Sequence, residues 1–180
     1  MKIKHSAYAG IVLLVLMAPL LGLALVGRLL GGMGDLIPVL GSADFAFTIV
    51  AFVLNVLFSY GFVLVGRAVQ NRLVWMSALL GIVVAAFDML LQFLSSASGE
   101  TVLSAALFTF VYGVIGIFFG VGLVQLKGQF GSLASVAGGL NIARGVFEVL
   151  AIVSIGYFIT FPLILLEIVL LFRASKLLDR

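Results

Sequence analysis

Arg144 stands in the segment 138–148, GGLNIARGVFE, about midway along an apolar stretch that otherwise reads as a membrane-spanning helix. A charge at the bilayer centre costs roughly 2.5 kcal/mol or more, so it persists only where partners offset it. At helical spacing Ala137, Asn141, Arg144, Gly145 and Glu148 fall three and four residues apart and share one face. Ser77, Gly81, Ala85, Asp88 and Gln92 form a similar stripe on an earlier apolar segment. Asn55 accompanies Thr48 and Ser59 on another, and Glu167 follows Pro162 on the last. The candidate ligand-binding or buried polar set is therefore Asn55, Asp88, Gln92, Asn141, Arg144, Glu148 and Glu167.

Within these apolar segments three acids, Asp88, Glu148 and Glu167, meet one base, Arg144. Fully ionised, they would leave two uncompensated negative charges. Burial disfavours the charged form of a carboxyl, whereas a guanidinium keeps its proton. That composition suits a proton-coupled site, and it equally suits a structural network that locks helix register. Asp88 lies 16 residues after Arg72 and Arg144 lies 17 after Lys127. At about 1.5 Å per residue these depths are similar, so an Asp88–Arg144 pair is feasible if their helices are neighbours. Glu167 lies six residues before Arg173 and is expected near the inner boundary, partly hydrated.

Other chemistries find little support. The chain has no cysteine, and its one histidine, His5, precedes the first apolar run. Metal sites and haem are not expected, and no cofactor is. No HExxH, GxSxG or phosphate-binding glycine loop occurs, and Gly128–Gly131 reads as a short turn. The apolar segments contain no lysine for a retinal, and Asp88 and Glu148 have no evident nucleophile beside them. The expectation is a protein that is not an enzyme.

The elements that carry these residues follow from composition. Of 180 residues 64% are hydrophobic and only 9% charged, with a mean hydropathy of +1.37. Soluble domains are nearer 25% charged, and so little polar surface could not cover a core. The expected fold is all-α: a polytopic membrane protein forming a single domain over residues 1–180. Six segments approach the roughly 20 residues needed to cross a hydrocarbon core: 8–26, 45–65, 73–94, 102–126, 133–153 and 158–172. The fifth is the least hydrophobic, and the alternative is five spans with that segment re-entrant or interfacial. The sixth is the shortest and abuts the fifth through Ser154–Tyr157. The first follows a basic start, yet its run is long for a signal peptide and no clear small-x-small site follows, so it reads as a retained helix interrupted at Pro19 and Gly22.

Charge sets orientation. Lys2, Lys4, Arg67, Arg72, Lys127, Arg173, Lys176 and Arg180 fall on one side, and Asp35, Asp44 and Glu100 on the other, with Arg28 the exception. This positive-inside pattern places both termini in the cytoplasm and favours an even number of spans. The net charge of +3 is scattered at helix ends and carries no nucleic-acid signal. Tyr8 and Trp75 suit interfacial anchoring. The glycine-broken stretch 29–41 reads as an interfacial loop or a lid.

Residues 80–90 and 140–150 match at an offset of 60 in Leu, Ile, Phe, an acid and Leu, which suggests three helical hairpins of one plan. Gly113, Gly116 and Gly120 should let helices approach closely. Two functions follow. One is a small non-enzymatic subunit or assembly partner of a membrane complex, with a buried polar network. The other is a small proton-coupled transporter or binder of an anionic or amphipathic solute, with Arg144 on the anion, Asp88 and Glu148 carrying proton or counter-charge, and Asn55 and Asn141 orienting the ligand. The expected partners are the lipid bilayer and either another membrane subunit or further copies of the chain, with no nucleic acid. The expected location is the cell membrane, as a multi-pass protein.

Overall fold

The computed structural model describes residues 2–29, 43–98, 102–150 and 153–179. The described residues are helical apart from short turns: α1 (Ile3–Leu29), α2 (Ala43–Ala68), α3 (Arg72–Ser98), α4 (Val102–Gln125), α5 (Lys127–Phe130), α6 (Ser132–Val149) and α7 (Val153–Leu178). Four helices are long and apolar enough to cross a membrane, over Thr48–Ala68, Arg72–Leu91, Ala106–Gln125 and Phe158–Leu178. These are spans among the described residues, and the Ile3–Leu16 part of α1 is apolar as well. The chain therefore has the helices of an integral membrane protein. Residues 30–41 of the expected outer loop, and the side chains of Pro19, Asp44 and Gln92, lie outside the described residues.

Several helices run past the apolar segments, because helix geometry continues into polar ends. The largest departure is α7. Ser154–Tyr157, expected as a connection, is helical, and the helix goes on through Arg173 and Lys176 to Leu178. Cations are favourable in a last helical turn, which explains the extension beyond Phe172. Pro162 lies inside α7, and the helix continues through it. By contrast α6 stops at Val149, short of the expected Val153, and it is the least apolar of the long helices.

The long helices close into a ring. Each packs on the next, α1 on α2, α2 on α3, α3 on α4, α4 on α6 and α6 on α7, and α7 returns to α1. Asp179 closes that last joint: its carboxylate accepts the backbone N–H groups of Ile3 (3.4 Å) and Lys4 (3.2 Å). Two donors at the start of α1 that have no partner within the helix are thereby satisfied. Tyr8 meets Phe172 edge to face at 5.3 Å, and the Lys4 ammonium lies 5.8 Å from the centre of the Tyr8 ring. The start of α1 and the end of α7 therefore lie at the same end of the bundle.

The same end holds the tight turn between α2 and α3. Gln70 adopts a left-handed φ of 55°, and the Asn71 N–H bonds the Gly66 carbonyl at 2.8 Å, which is the closing bond of a Schellman turn. The Asn71 side chain then caps α3 by accepting the Val74 N–H at 3.1 Å. The α4–α6 connection is the single turn α5, which buries Phe130 and ends at Gly131, where φ is 70°. A residue with a Cβ would be strained there.

Among the described residues, most of the buried core lies toward this terminal end. It joins Ile3 and Ala7 of α1, Phe62 and Val65 of α2, Val74 of α3, Leu123 of α4, Phe130 of α5, Ala134 of α6 and Leu170 and Leu171 of α7. Phe62 is the hinge of an aromatic chain, edge to face with Phe58 at 5.7 Å and with Phe119 at 5.1 Å. Buried aromatic pairs of this geometry contribute about 0.5–1.5 kcal/mol beyond their area.

Glycines set the helix spacing. A Cβ on Gly61 would lie 2.5 Å from Ser6, one on Gly66 would lie 2.6 Å from the Trp75 nitrogen, and one on Gly122 would lie 2.9 Å from the Val74 nitrogen. The closest joint is α4 against α6. Gly113 faces Gly145 and Gly120 faces Gly138, and a Cβ on any of the four would come within 2.7 Å of the opposite carbonyl oxygen. Gly116 differs from its two neighbours, because a Cβ there would meet its nearest atoms at 3.7 Å, ordinary contact.

That difference can be measured. Gly120→Ala and Gly113→Ala should each destabilise the detergent-solubilised protein by about 1–3 kcal/mol, the usual cost of forcing extra carbon into a filled interface. Gly116→Ala should leave the melting temperature within a degree or two of wild type.

Candidate functional site

The face of α6 that carries the polar residues is turned away from its exposed side. Val136, Gly139, Val146 and Leu150 form the exposed stripe, and Asn141, Arg144 and Glu148 project from the far side of the helix. The reason is the glycine joint. Gly138 and Gly145 must face α4 at backbone distance, and helix periodicity then turns positions 141, 144 and 148 toward α7 and the middle of the ring.

Three polar pairs result. Asn141 is buried and donates its amide to the Glu167 carboxylate at 2.8 Å, joining α6 to α7, and it also donates to the Ala137 carbonyl at 3.2 Å. Glu167 is itself buried, with only 7% of its surface exposed. Partial hydration near the inner boundary was expected of it. The correction follows from α7 continuing to Leu178, which leaves Glu167 well inside the helix. One turn beyond Asn141, the Arg144 Nε donates to Glu148 Oε1 at 2.7 Å. Arg144 also lies within electrostatic range of Glu167. On the other flank of α4, the Tyr112 hydroxyl donates to Asp88 Oδ2 at 3.4 Å.

The Asp88–Arg144 pair that similar depth made feasible does not form. Arg144 takes a carboxylate of its own helix, and Asp88 takes a phenol of α4. The cause is the helix order: α3 and α6 pack on α4, so equal depth does not make the two side chains neighbours. The two segments of the offset repeat lie on α3 and α6, which both pack against α4.

Two further features bear on what the site can do. The Arg144 side chain remains 32% exposed and that of Glu148 13%, although both lie on the face turned from the exposed stripe. Glu148 Oε2 is buried and has no hydrogen-bond partner. Asn55 tells a similar story on α2. It shares a face with buried Ala51, Phe58 and Phe62, four before, three after and seven after, yet it is exposed. Its carbonyl oxygen accepts the Ser59 hydroxyl at 3.3 Å. Such exposure on an inward face leaves the Asn55 side chain accessible.

Sequence reasoning missed Tyr112 as the partner of Asp88. The signal was present, since Tyr112 adjoins Gly113 and lies, with Gly116, on the side of α4 away from its exposed residues. It also missed Gly138 as half of the joint with Gly120, although the spacing 138–145 repeats the spacing 113–120. Among the described residues no group of three or more His, Cys, Asp or Glu side chains could hold a metal ion.

The Asn141–Glu167 bond joins two helices, and a double-mutant cycle should detect it. Asn141→Leu and Glu167→Leu should each destabilise, and the double variant should lose less than the sum of the two. The expected coupling is about 0.6–2 kcal/mol, the range of interhelical polar bonds in membranes. Strict additivity in thermal melts would show that the bond carries no stability. Neither a family model, a curated protein nor a solved structure matches the chain.

Proposed function

We propose that the chain is a six-span, non-enzymatic integral membrane protein with both termini cytoplasmic, and that the space between its helices holds a small anionic or amphipathic solute at Arg144. Glu148 and Glu167 would carry the proton or counter-charge on one side of the site, and Asp88 the same on the other. Asn55 and Asn141 would orient the ligand. One observation carries the reading: the only cation of this cluster is bonded within its own helix. An Arg144–Glu148 pair four residues apart cannot fix the register of one helix against another. That task is already served by the glycine joint and by Asn141–Glu167. A charge whose ion pair stays within its own helix, which is a third exposed on an inward face and sits beside a carboxylate with a free oxygen, supports a binding role. Arg suits that role, because its planar fork matches a carboxylate or phosphate in two-point contact.

A second reading, a small subunit or assembly partner of a membrane complex, is supported by the shortness of the described turns, Val69–Asn71 and the α5 region, which leave soluble partners little to hold. The six-span count rests on the closed ring of helices and on the meeting of the first and last helix ends. The cytoplasmic placement rests on Arg67, Arg72, Lys127 and Lys176 lying toward that end. Reporter fusions at Met1 and Arg180 should both read cytoplasmic, and either end outside would overturn the topology.

The solute reading is tested by thermal shift of the detergent-purified protein against octanoate and its neutral analogue octanamide. Octanoate should raise the melting temperature by several degrees and octanamide should not. Arg144→Gln should abolish that response. If octanoate has no effect, if Arg144→Gln lowers stability, and if Arg144→Gln with Glu148→Gln restores it, the pair is structural and the subunit reading stands.

A further inference from the structure

The terminal end of the bundle holds a second polar site, independent of Arg144. Between the α2–α3 turn and the start of α5 lies a groove of about 500 Å³. Its polar lining comes from Gln70, Asn71, Arg72, Gln125 and Gln129, and no carboxylate contributes. The hydrogen bonds around it decide what it offers. The Asn71 amide nitrogen is occupied, donating to the Gly122 carbonyl and to Gln125 Oε1, both at 3.2 Å. Gln125 therefore has its acceptor engaged, which leaves its amide nitrogen as the group to offer a ligand. Arg72 adds a guanidinium, and Arg72 and Gln129 are both exposed. The one acid described at this end outside the spans, Asp179, is bonded to the start of α1. A groove with donors, one cation and no acid selects an anion.

Its depth selects which one. The Arg67 guanidinium lies over the Trp75 ring at 5.5 Å, on the two helices that the α2–α3 turn joins. Tryptophan with a basic residue marks the level of lipid headgroups. Leu73 and Leu126 give the groove an apolar side next to its donors. A basic pocket between membrane helices at the cytoplasmic face fits the phosphate of an anionic lipid, with the first carbons of the acyl chains on the apolar wall. The geometry points to an anionic-phospholipid site at Arg72, Gln125 and Gln129, which binds the headgroup phosphate and ties the α2–α3 turn to the end of α4.

The full chain should be reconstituted in nanodiscs or detergent and its bound lipid read by native mass spectrometry. Phosphatidylglycerol should stay bound under conditions that strip phosphatidylcholine. Arg72→Gln, at an exposed position, should reduce phosphatidylglycerol retention at least fivefold with the melting temperature of the lipid-free protein unchanged. Gln129→Leu should reduce it more modestly. Lys176→Gln, a basic residue at the same end but outside the groove, should leave retention intact. Equal loss in Lys176→Gln and Arg72→Gln would mean diffuse charge attraction and would overturn the site. Retention of phosphatidylcholine equal to that of phosphatidylglycerol would overturn it as well. A third arm uses inorganic phosphate. Failure of millimolar phosphate to displace the lipid supports a lipid site, whereas displacement by phosphate with no preference among lipids would reassign the groove to a free anion and end the proposal.

Discussion

The backbone contact between α4 and α6 is the constraint on which the polar interior depends. Two pairs of glycines, Gly113 with Gly145 and Gly120 with Gly138, bring main chains so close that no side chain could intervene. Lipid tails are as apolar as leucine, so no hydrophobic force drives helices together inside a membrane. Close van der Waals contact and shared polar bonds must serve instead, and glycine is the residue that permits the closest approach. Once Gly138 and Gly145 face α4, the orientation of every other residue on α6 follows from the helical repeat. Asn141, Arg144 and Glu148 are then held away from the exposed side.

That orientation changes the meaning of the charge. An arginine on an exposed face would be a liability offset only by reaching for headgroups. Turned inward, Arg144 has Glu148 at 2.7 Å and Glu167 within electrostatic range. The two ends of the bundle then differ in character. The terminal end is filled by Phe62, Phe130, Leu123 and Leu171, each almost fully buried. The level of Asn55 and Arg144 is looser and polar, with side chains partly exposed on inward faces. The closure of the ring by Asp179 on the start of α1 supports that packed end.

The acids divide accordingly. Glu167 is buried and bonded across a helix interface, which gives it a structural duty whatever else it does. Glu148 keeps one buried oxygen without a partner. A buried polar atom without a hydrogen bond is costly in apolar surroundings, and this one is held beside Arg144. Asp88, with Tyr112, repeats this theme on the opposite flank of α4 at lower charge.

Composition alone was enough to identify a helical membrane protein, because 64% apolar residues and 9% charge leave no other way to cover the surface. The periodicity of Asn141, Arg144 and Glu148 was enough to place them on one face, because helix geometry is local. The segments were legible to within a few residues, apart from α6, which stops short of its apolar segment, and α7, which runs past its own because a polar helix tail looks like a loop to a hydropathy count. Tertiary structure alone decided which side chains meet. Depth along a helix made an Asp88–Arg144 pair feasible, but lateral neighbours depend on the order of helices around the ring, and that order depends on glycine contacts between segments distant in sequence. The same holds for Gly116, indistinguishable in sequence from Gly113 and Gly120, yet set where a methyl group has room. Spacing says which residues share a face, and only packing says what that face touches.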